Sequence, residues 1–235
     1  MFRFKQFNVD QTGCAMKINT DGALLGALAK AYQPKTILDI GTGTGVIALM
    51  LAQRFSDAQI DAVEIDELAA ETAQRNFNNS PFADRLSLYT DDFEAFLEDH
   101  PQKKYDLIVS NPPFYINSLE SPGEKKSLAK HADADFFDRL IKSAGGHLSD
   151  DGAFWLILPL QTAELVKVIG ASIGLKLQKQ IRIFSYPDSE AHRKILVLSF
   201  AEIKEKDDQF IIYDAPKVYS QQYQLLLTPF FTIFE

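Results

Sequence analysis

A short β-type run at Thr36–Ile40 is followed at once by Gly41-Thr42-Gly43-Thr44-Gly45 and then by a helical pattern of apolar residues that starts at Val46. A strand, a glycine loop and a helix in this order are typical of a nucleotide-binding α/β domain, because glycine lets the backbone approach a ligand closely. The unit predicts a mostly parallel sheet that carries a ligand site beside this loop.

The spacing of the glycines separates two kinds of ligand. Gly41, Gly43 and Gly45 form G-x-G-x-G, and Val46 stands where the third glycine of a dinucleotide fingerprint belongs. Asp39, just before the loop, would repel a pyrophosphate, but it suits a ligand with an ammonium group, such as the methionine end of S-adenosylmethionine. We therefore expect S-adenosylmethionine at this loop, and a nicotinamide oxidoreductase is the disfavoured alternative.

Acidic residues follow two further β-type runs. Glu64 ends the run at Gln59–Glu64, with Ile65 behind it, and an acid at the end of the second strand accepts both ribose hydroxyls of a nucleotide. Asp91 and Asp92 follow the third run. One of this pair is predicted to accept from the adenine amino group of the cofactor, and the other to cap the next helix.

The tetrapeptide Asn111-Pro112-Pro113-Phe114 follows an apolar run. The Asn111 amide oxygen and the Pro112 carbonyl can together accept both hydrogens of an amino group, and the two prolines stiffen the turn. Phe114 offers a flat face on which a planar base or amide can stack. An amine held in this way keeps its lone pair free to attack a methyl donor, so these four residues are the predicted catalytic set.

The predicted cofactor-binding set combines these acids, the glycine loop, the asparagine and one upstream lysine, for which a plain surface position is the alternative. Its members are Lys17, Asp39, Gly41, Thr42, Gly43, Gly45, Glu64, Ile65, Asp91, Asp92 and Asn111.

Composition limits the class of protein. The chain has 235 residues, of which 46% are hydrophobic and 24% charged, which predicts one domain over residues 1–235. A single cysteine, Cys14, and four scattered histidines predict neither a disulfide framework nor a metal site. No apolar stretch reaches the roughly 18 residues of a membrane helix and no signal-peptide core is seen, so a cytoplasmic monomer is expected, without membrane association.

Strand and helix patterns alternate along the chain, which predicts an α/β fold with helices on both faces of a seven-stranded, mostly parallel sheet. The last strand is predicted antiparallel because residues 185–194 are too few for a crossover. Residues 1–20 are predicted to contain a β-hairpin, in which 2–7 pairs with 13–18, and residues 201–235 a C-terminal extension that packs on the core. The predicted strands are 36–40, 59–64, 86–89, 105–110, 153–158, 177–184 and 195–200, with an edge strand at 209–213; the predicted helices include 45–54, 67–78, 93–98, 135–147, 160–170 and one within 219–234.

Two groups of basic residues are predicted near the substrate, at the carboxyl ends of the strands. The first group lies in a polar loop predicted at 118–130 and just after it, and the second flanks the final hairpin. Phosphate contact and plain solvation stay open for both groups. A net charge of −8 argues mildly against indiscriminate nucleic-acid binding, but it allows a local basic face. The two groups are Lys125, Lys126, Lys130 and His131, and Arg182, Arg193 and Lys194.

These motifs together resemble the class I S-adenosylmethionine-dependent N-methyltransferases, which have a Rossmann-like fold. The stretches 2–7 and 15–26, the segment Ala129-Lys130-His131 and the pair Tyr219 and Tyr223 are similar to the tRNA1(Val) (adenine-37-N6)-methyltransferase family, in which an arginine usually precedes the histidine. The resemblance implies transfer of a methyl group from S-adenosylmethionine to N6 of adenine 37 in the anticodon loop of a tRNA, with S-adenosylhomocysteine as the product.

Three alternatives remain at this point. Ribosomal guanine-N2 enzymes share the tetrapeptide, and protein glutamine-N5 enzymes carry tyrosine in place of its phenylalanine. Both typically have a separate N-terminal domain, whereas only about 35 residues precede the first strand here, which is an argument from fold-level analogy. The third alternative is a non-catalytic subunit that binds S-adenosylmethionine and associates with RNA, and the intact tetrapeptide disfavours it.

Overall fold

The computed structural model describes residues 1–12, 17–113 and 124–234, of which 124–133 are described by their backbone alone. The strands are β1 Phe2–Arg3, β2 Asn8–Val9, β3 Thr36–Ile40, β4 Gln59–Glu64, β5 Leu86–Thr90, β6 Tyr105–Ser110, β7 Leu148–Leu158, β8 Lys176–Phe184, β9 Ala191–Ser199, β10 Lys206–Ile211, β11 Tyr213–Ala215 and β12 Val218–Tyr219. The helices are α1 Thr20–Leu28, α2 Val46–Arg54, α3 Glu67–Asn78, α4 Phe93–Asp99, α5 Glu124–Gly146, α6 Leu160–Ser172 and α7 Gln221–Leu227, with a 3-10 turn at Ala83–Arg85.

The central sheet has eight strands in the order β10-β8-β9-β7-β6-β3-β4-β5. All neighbours pair in parallel except β9, which is antiparallel to both β7 and β8. The predicted fold class is confirmed, with β10 as an eighth strand on the edge of β8. Strand order reverses at β3, whose neighbours are β4 and β6, and a ligand site in an open α/β sheet lies at such a reversal.

Most side chains of the central strands are buried on both faces, which is why the sequence of these strands is mainly apolar and does not alternate. On β6, Leu107 and Val109 pack into the same cluster as α1 and α2, whereas Ile108 packs with α4, α5 and α6. Helices therefore cover both faces, and the ligand site is left to the carboxyl edge of the sheet.

The N-terminal hairpin is real, but its predicted pairing is wrong. Strand β1 pairs with β2, and the turn closes through the Phe4 amide, which donates to the Phe7 carbonyl at 2.9 Å. Phe4 and Phe7 are buried and stacked at 4.3 Å, so the chain reverses between them. Residues 13–16, part of the predicted return strand, lie outside the described residues.

The end of the chain returns to the N-terminal hairpin. Helix α7 is shorter than the predicted segment at 219–234, and turns follow it. Phe231 forms a bridge with Phe4, and the Lys5 amide donates to the Phe230 carbonyl at 2.7 Å. The hairpin and the tail thus form one aromatic corner beside α1.

Helix α5 begins earlier than the sequence predicts. The expected polar loop extended to residue 130, but the backbone is helical from Glu124. The segment Glu124-Lys125-Lys126-Ser127-Leu128-Ala129-Lys130 consists mainly of strong helix formers, which outweigh the polar character that suggested a loop. Residues 114–123 lie outside the described residues.

Candidate active site

The glycine loop and the tetrapeptide start side by side. Ile40, the last residue of β3, pairs with Ser110, the last residue of β6, and the Ser110 hydroxyl donates to the Ile40 carbonyl at 2.9 Å. Because both strands run in parallel, the loop at 41–45 and Asn111 emerge together at the carboxyl edge of the sheet. The two motifs that the sequence separates by 65 residues therefore share one location.

All three glycines of the loop have positive φ, at 72° for Gly41, 57° for Gly43 and 81° for Gly45. A Cβ atom placed on Gly41 or Gly43 would meet nothing within 4 Å, whereas one on Gly45 would lie 2.4 Å from Cε1 of Phe77. Gly41 and Gly43 therefore open onto free space that a ligand can use, and Gly45 allows α3 to pack against the loop.

Asp39 lies beneath the loop and is fully buried. Its Oδ2 accepts from the Thr42 hydroxyl at 2.6 Å and from the Ala48 amide at 3.2 Å, while Oδ1 has no partner in the described part of the chain. Burial raises the pKa of Asp39 to about 7, against the lowering effect of these two hydrogen bonds. Asp39 and Thr42 thus shape the loop from behind, and neither lines the cavity in front of it.

Replacement of Asp39 by asparagine is expected to change the pH dependence of stability. The folded chain holds a proton on Asp39 that the unfolded chain releases, because the pKa is raised from 3.8 to about 7. The stabilising contribution is therefore complete below about pH 4 and declines by up to ~1.4 kcal/mol per pH unit as the pH rises to about 7. Urea denaturation between pH 4 and pH 8 should show that Asp39→Asn removes this decline, whereas Asp84→Asn, at an exposed site, should keep it. Equal pH slopes for Asp39→Asn and the wild type would refute the assignment.

The acidic residues at the ends of β4 and β5 lie at the same carboxyl edge of the sheet as the glycine loop. Glu64 accepts from the Gly43 amide through Oε2 at 2.8 Å, so the second strand fixes the glycine loop. Asp92 caps α4, since its Oδ1 accepts from the Glu94 amide at 2.8 Å. Asp91 Oδ1 accepts from the Asp92 amide at 2.8 Å. The structure thus assigns the helix cap to Asp92 and leaves Asp91 as the acid that is free of that task.

A cavity of about 300 Å³ opens in front of these groups. Of the residues predicted from sequence, it brings together Gly41, Glu64, Ile65, Asp91, Asp92, Asn111, Pro112 and Pro113. Sequence reasoning missed Phe93, Phe136 and Arg139, which also line it. Phe93 could have been found from the sequence, because it directly follows the acid pair. Phe136 and Arg139 are three residues apart on α5, and their role could have been predicted only if that helix had been expected to pass the carboxyl edge of the sheet.

Asn111, in the lining of the cavity, carries a side-chain oxygen without a hydrogen-bond partner among the described residues. Its side-chain Oδ1 is buried and accepts no hydrogen bond within the described part of the chain. A buried carbonyl oxygen without a partner costs about 1–3 kcal/mol, so a native structure that keeps one calls for an explanation. Pro112, the next residue, is buried as well. An acceptor that the folded chain does not use is therefore available at the tetrapeptide.

One amide joins the glycine loop to the N-terminal segment. Asn76 of α3 is buried, and its Nδ2 donates to the Thr44 carbonyl at 2.9 Å and to the Asp10 carbonyl at 3.0 Å. Its Oδ1 accepts from the Asp10 amide at 2.8 Å. The segment behind β2 is thereby fixed to the loop that faces the cavity.

Several predicted residues lie elsewhere. Lys17 is exposed and does not line the cavity. The three basic residues of the final hairpin lie at the carboxyl edge, as predicted, but each is engaged with a carboxylate. Arg182 pairs with Asp207 at 3.1 Å, Arg193 with Asp21 at 2.8 Å and Lys194 with Glu164 at 2.5 Å. Phe114 lies outside the described residues, and so do the side chains of Lys125, Lys126, Lys130 and His131, whose backbone belongs to α5.

Over 1–12, 17–113 and 124–234, no group of three or more histidine, cysteine or acidic side chains is arranged to hold a metal ion. Within the same ranges no helix combines the length and the apolar character that a membrane crossing requires.

Comparison with known proteins identifies relatives over the full length. The family model described as "Methyltransferase small domain" matches residues 17–172. A protein of Pedobacter heparinus named tRNA1(Val) (adenine(37)-N6)-methyltransferase is 48% identical, over 99% of this chain and 98% of its own. Proteins with the same name from Flavobacterium psychrophilum and Bacteroides thetaiotaomicron are 44% and 37% identical, over 98% of this chain and 99% and 96% of their own.

Solved structures agree on the architecture. A protein described as a predicted O-methyltransferase from Agrobacterium tumefaciens aligns with a TM-score of 0.71 at 18% identity, over 89% of this chain and 96% of its own. TrmN from Thermus thermophilus aligns with a TM-score of 0.56 at 23% identity, over 76% of this chain and 47% of its own. These two likenesses establish the fold. The family model and the relatives above confirm the resemblance seen in the sequence: the chain belongs to the tRNA1(Val) (adenine(37)-N6)-methyltransferases, within the methyltransferase small domain family.

Proposed function

We propose that this protein transfers a methyl group from S-adenosylmethionine to N6 of adenine 37 in tRNA1(Val). The observation that carries the proposal is the unused, buried Oδ1 of Asn111 in a cavity directly beside the glycine loop. The names of the full-length relatives supply the RNA and the position within it. The unpartnered oxygen of Asn111 supports its proposed role in holding the amine, and the open space at the glycine loop supports a methyl donor there.

The residues present fit S-adenosylmethionine. The open space at Gly41 and Gly43 gives it close access to the backbone. Glu64 is the acceptor for the ribose hydroxyls and Asp91 for the adenine amino group, because Asp92 is occupied as a helix cap. Ile65 and Phe93 provide apolar surface for the adenine ring. When bound, S-adenosylmethionine supplies an electrophilic methyl group.

The chain's own contribution to the reaction is to prepare the amine. An aromatic amine is a poor nucleophile, because its lone pair is delocalised into the ring. Asn111 Oδ1 and the Pro112 carbonyl accept its two hydrogens and draw the nitrogen toward tetrahedral geometry, which localises the lone pair. As the nitrogen gains the methyl carbon, the bond between that carbon and the donor sulfur breaks, and its electron pair stays on sulfur, so that S-adenosylhomocysteine leaves as a neutral thioether. The nitrogen releases one proton to water, and the scheme requires no metal and no covalent bond to the enzyme. Holding the two reactants at attack distance accounts for much of the remaining rate.

An adenine in an anticodon loop suits this site because it is already unpaired. Moving an unpaired base out of its stack costs less than extracting one from a duplex. Phe114, next in the tetrapeptide, is proposed to stack on the base, a contact of about 1–3 kcal/mol in other single-stranded complexes. The enzyme therefore reads an exposed base and needs no means of opening a helix.

The test is a methylation assay with defined substrates. The full chain, S-adenosylmethionine and an unmodified tRNA1(Val) transcript should give N6-methyladenosine at position 37, read by nucleoside mass spectrometry of mapped fragments. A matched transcript with guanine at that position should stay unmodified. Methylated guanine N2 in ribosomal RNA, or methylated glutamine in protein, with an inert tRNA would replace this proposal by one of the chemical alternatives.

A further inference from the structure

A second cavity of about 290 Å³ lies at the aromatic corner where the N-terminal hairpin meets the C-terminal tail. Phe2 and Arg3 of β1 line it on one side, and Asn19 and Thr20 at the start of α1 on another. Tyr219 at the end of β12 also borders it. None of these residues lines the cavity of the candidate active site.

The two cavities are neighbours across the first turn of α1. Asn19 caps this helix, since its Oδ1 accepts from the Gly22 amide at 2.9 Å. A Cβ atom placed on Gly22 would lie 3.6 Å from Asn19 Oδ1 and 3.8 Å from Asn111 Nδ2. A single helical turn, about 5.4 Å in pitch, therefore separates the amine-holding asparagine from the second cavity.

The wall formed by the tail is preorganised. Tyr219 is stacked between two rings, with centroids 5.0 Å from Tyr213 and 4.8 Å from Tyr223. Phe234 meets Tyr219 edge-on at 5.5 Å. Phe2 packs against Phe231 at 5.6 Å but stays partly exposed, so its ring offers aromatic surface to an incoming group. Rigid aromatic walls lose little conformational entropy when a flat ligand binds.

The charge at this corner differs from that of the chain as a whole. The net charge is −8, and the basic residues of the final hairpin are all paired with carboxylates. Arg3, by contrast, is exposed and forms no ion pair with any described residue, and exposed Lys17 immediately precedes Ile18 of the lining. Exposed cations that form no ion pair with any described residue, placed beside an aromatic slot, suit the phosphate and the base of a single-stranded nucleotide.

We propose that the second cavity binds the base of a nucleotide adjacent to the target adenine. This inference rests on the proposed function. When one base leaves a loop, its neighbours lose a stacking partner, and an aromatic slot one helical turn away replaces it. Phe2 provides the stacking surface, Arg3 neutralises the phosphate between the two nucleotides, and Asn19 and Thr20 offer polar atoms to the edge of the base. The hairpin and the tail thus act as an RNA-holding device.

The test uses a double-mutant cycle on the full chain. The probe is an anticodon stem–loop of tRNA1(Val), intact or with an abasic nucleotide on the 5′ or the 3′ side of the target adenine, bound in the presence of S-adenosylhomocysteine. Phe2→Leu keeps apolar bulk but removes the aromatic face, and it should weaken binding of the intact RNA by about 5- to 150-fold. One of the two abasic RNAs lacks the base that Phe2 contacts, so Phe2→Leu and the wild type should bind that RNA with equal affinity. Phe200→Leu is the matched control and should bind like the wild type, because its ring is 38% exposed and follows the end of β9 at the amino edge of the sheet.

Arg3→Gln gives an independent readout. It should reduce the slope of log affinity against log salt by about 0.7, the value for one phosphate on a single strand. Lys206→Gln, at an exposed lysine that starts β10 at the opposite edge, should leave the slope unchanged. Unchanged affinity of Phe2→Leu and Phe200→Leu for S-adenosylhomocysteine shows that the variants are folded.

Two results would overturn the inference. In the first, replacing the intact RNA by either abasic RNA lowers the affinity of Phe2→Leu by the same factor as that of the wild type. In the second, Arg3→Gln leaves the slope of log affinity against log salt unaltered. Either result, obtained with a wild type that methylates adenine 37, removes the second cavity from RNA binding and leaves the proposed function in place. A wild type that methylates no tRNA removes the proposed function itself.

Discussion

An Asn111→Ala enzyme is expected to methylate tRNA about 10²–10³ times more slowly than the wild type, the loss seen when one preorganised hydrogen-bonding group of a transition state is removed. The unpartnered Oδ1 of Asn111 supplies the reason. Alanine removes an acceptor that the described part of the folded chain does not use, so the variant should fold normally. The loss of rate should therefore arise mainly in the chemical step. Single-turnover rates at saturating tRNA and S-adenosylmethionine measure that step directly.

The control is an asparagine that has no role in the cavity. Asn79 is exposed at the end of α3, and Asn79→Ala should react at the wild-type rate. Calorimetry with S-adenosylhomocysteine separates the chemical step from donor binding, which Asn111→Ala should alter by only a few-fold. A normal single-turnover rate for Asn111→Ala would mean that another group holds the amine.

Gly45→Ala is expected to lower the free energy of unfolding by ~2–5 kcal/mol, the largest stability effect in the glycine loop. Its φ of 81° costs about 1–2 kcal/mol for a residue with a side chain. The new Cβ would also lie 2.4 Å from Cε1 of Phe77, a fully buried ring. Such overpacking adds about 1–3 kcal/mol. Urea denaturation of the purified protein at neutral pH measures the difference.

Gly43→Ala is the matched comparison for this prediction. It has the same left-handed backbone, with φ of 57°, but its Cβ would enter open space. Gly43→Ala should therefore lose only about 1–2 kcal/mol of stability, while its methyl group occupies the space proposed for the methyl donor and weakens donor binding. Equal stability losses in the two variants would show that contact with Phe77 contributes nothing.

The central strands were predictable because local signals suffice for them. Strands β3, β4 and β6 are mainly apolar runs with polar or turn residues on both sides, and their observed bounds equal the predicted ones. The N-terminal hairpin was paired incorrectly because each of its strands has two residues, too few for a periodic pattern. Contacts of Phe4 with Phe231, far away in sequence, determine where that hairpin folds back.

The residues of the candidate site likewise fall into those that local sequence signals place and those that only the folded structure places. The glycine loop, Glu64 and Asn111 follow strands, so the sequence was enough to place them at one edge. The division of labour between Asp91 and Asp92 required the geometry of α4, since both acids fit either role in the sequence. Phe136 and Arg139 lie within the helix predicted at 135–147, but the sequence does not show which of its residues face the cavity. Arg139 is held there by Glu94, a contact that no local pattern encodes.

The amide of Asn76 has a consequence for cooperativity. Because it bonds both Thr44 and Asp10, a ligand that favours the native position of the loop also favours that of the N-terminal segment. Linkage requires the reverse effect to be equal in free energy. We therefore expect the methyl donor and the RNA, bound at the sites proposed above, each to strengthen the binding of the other through the hydrogen bonds of Asn76.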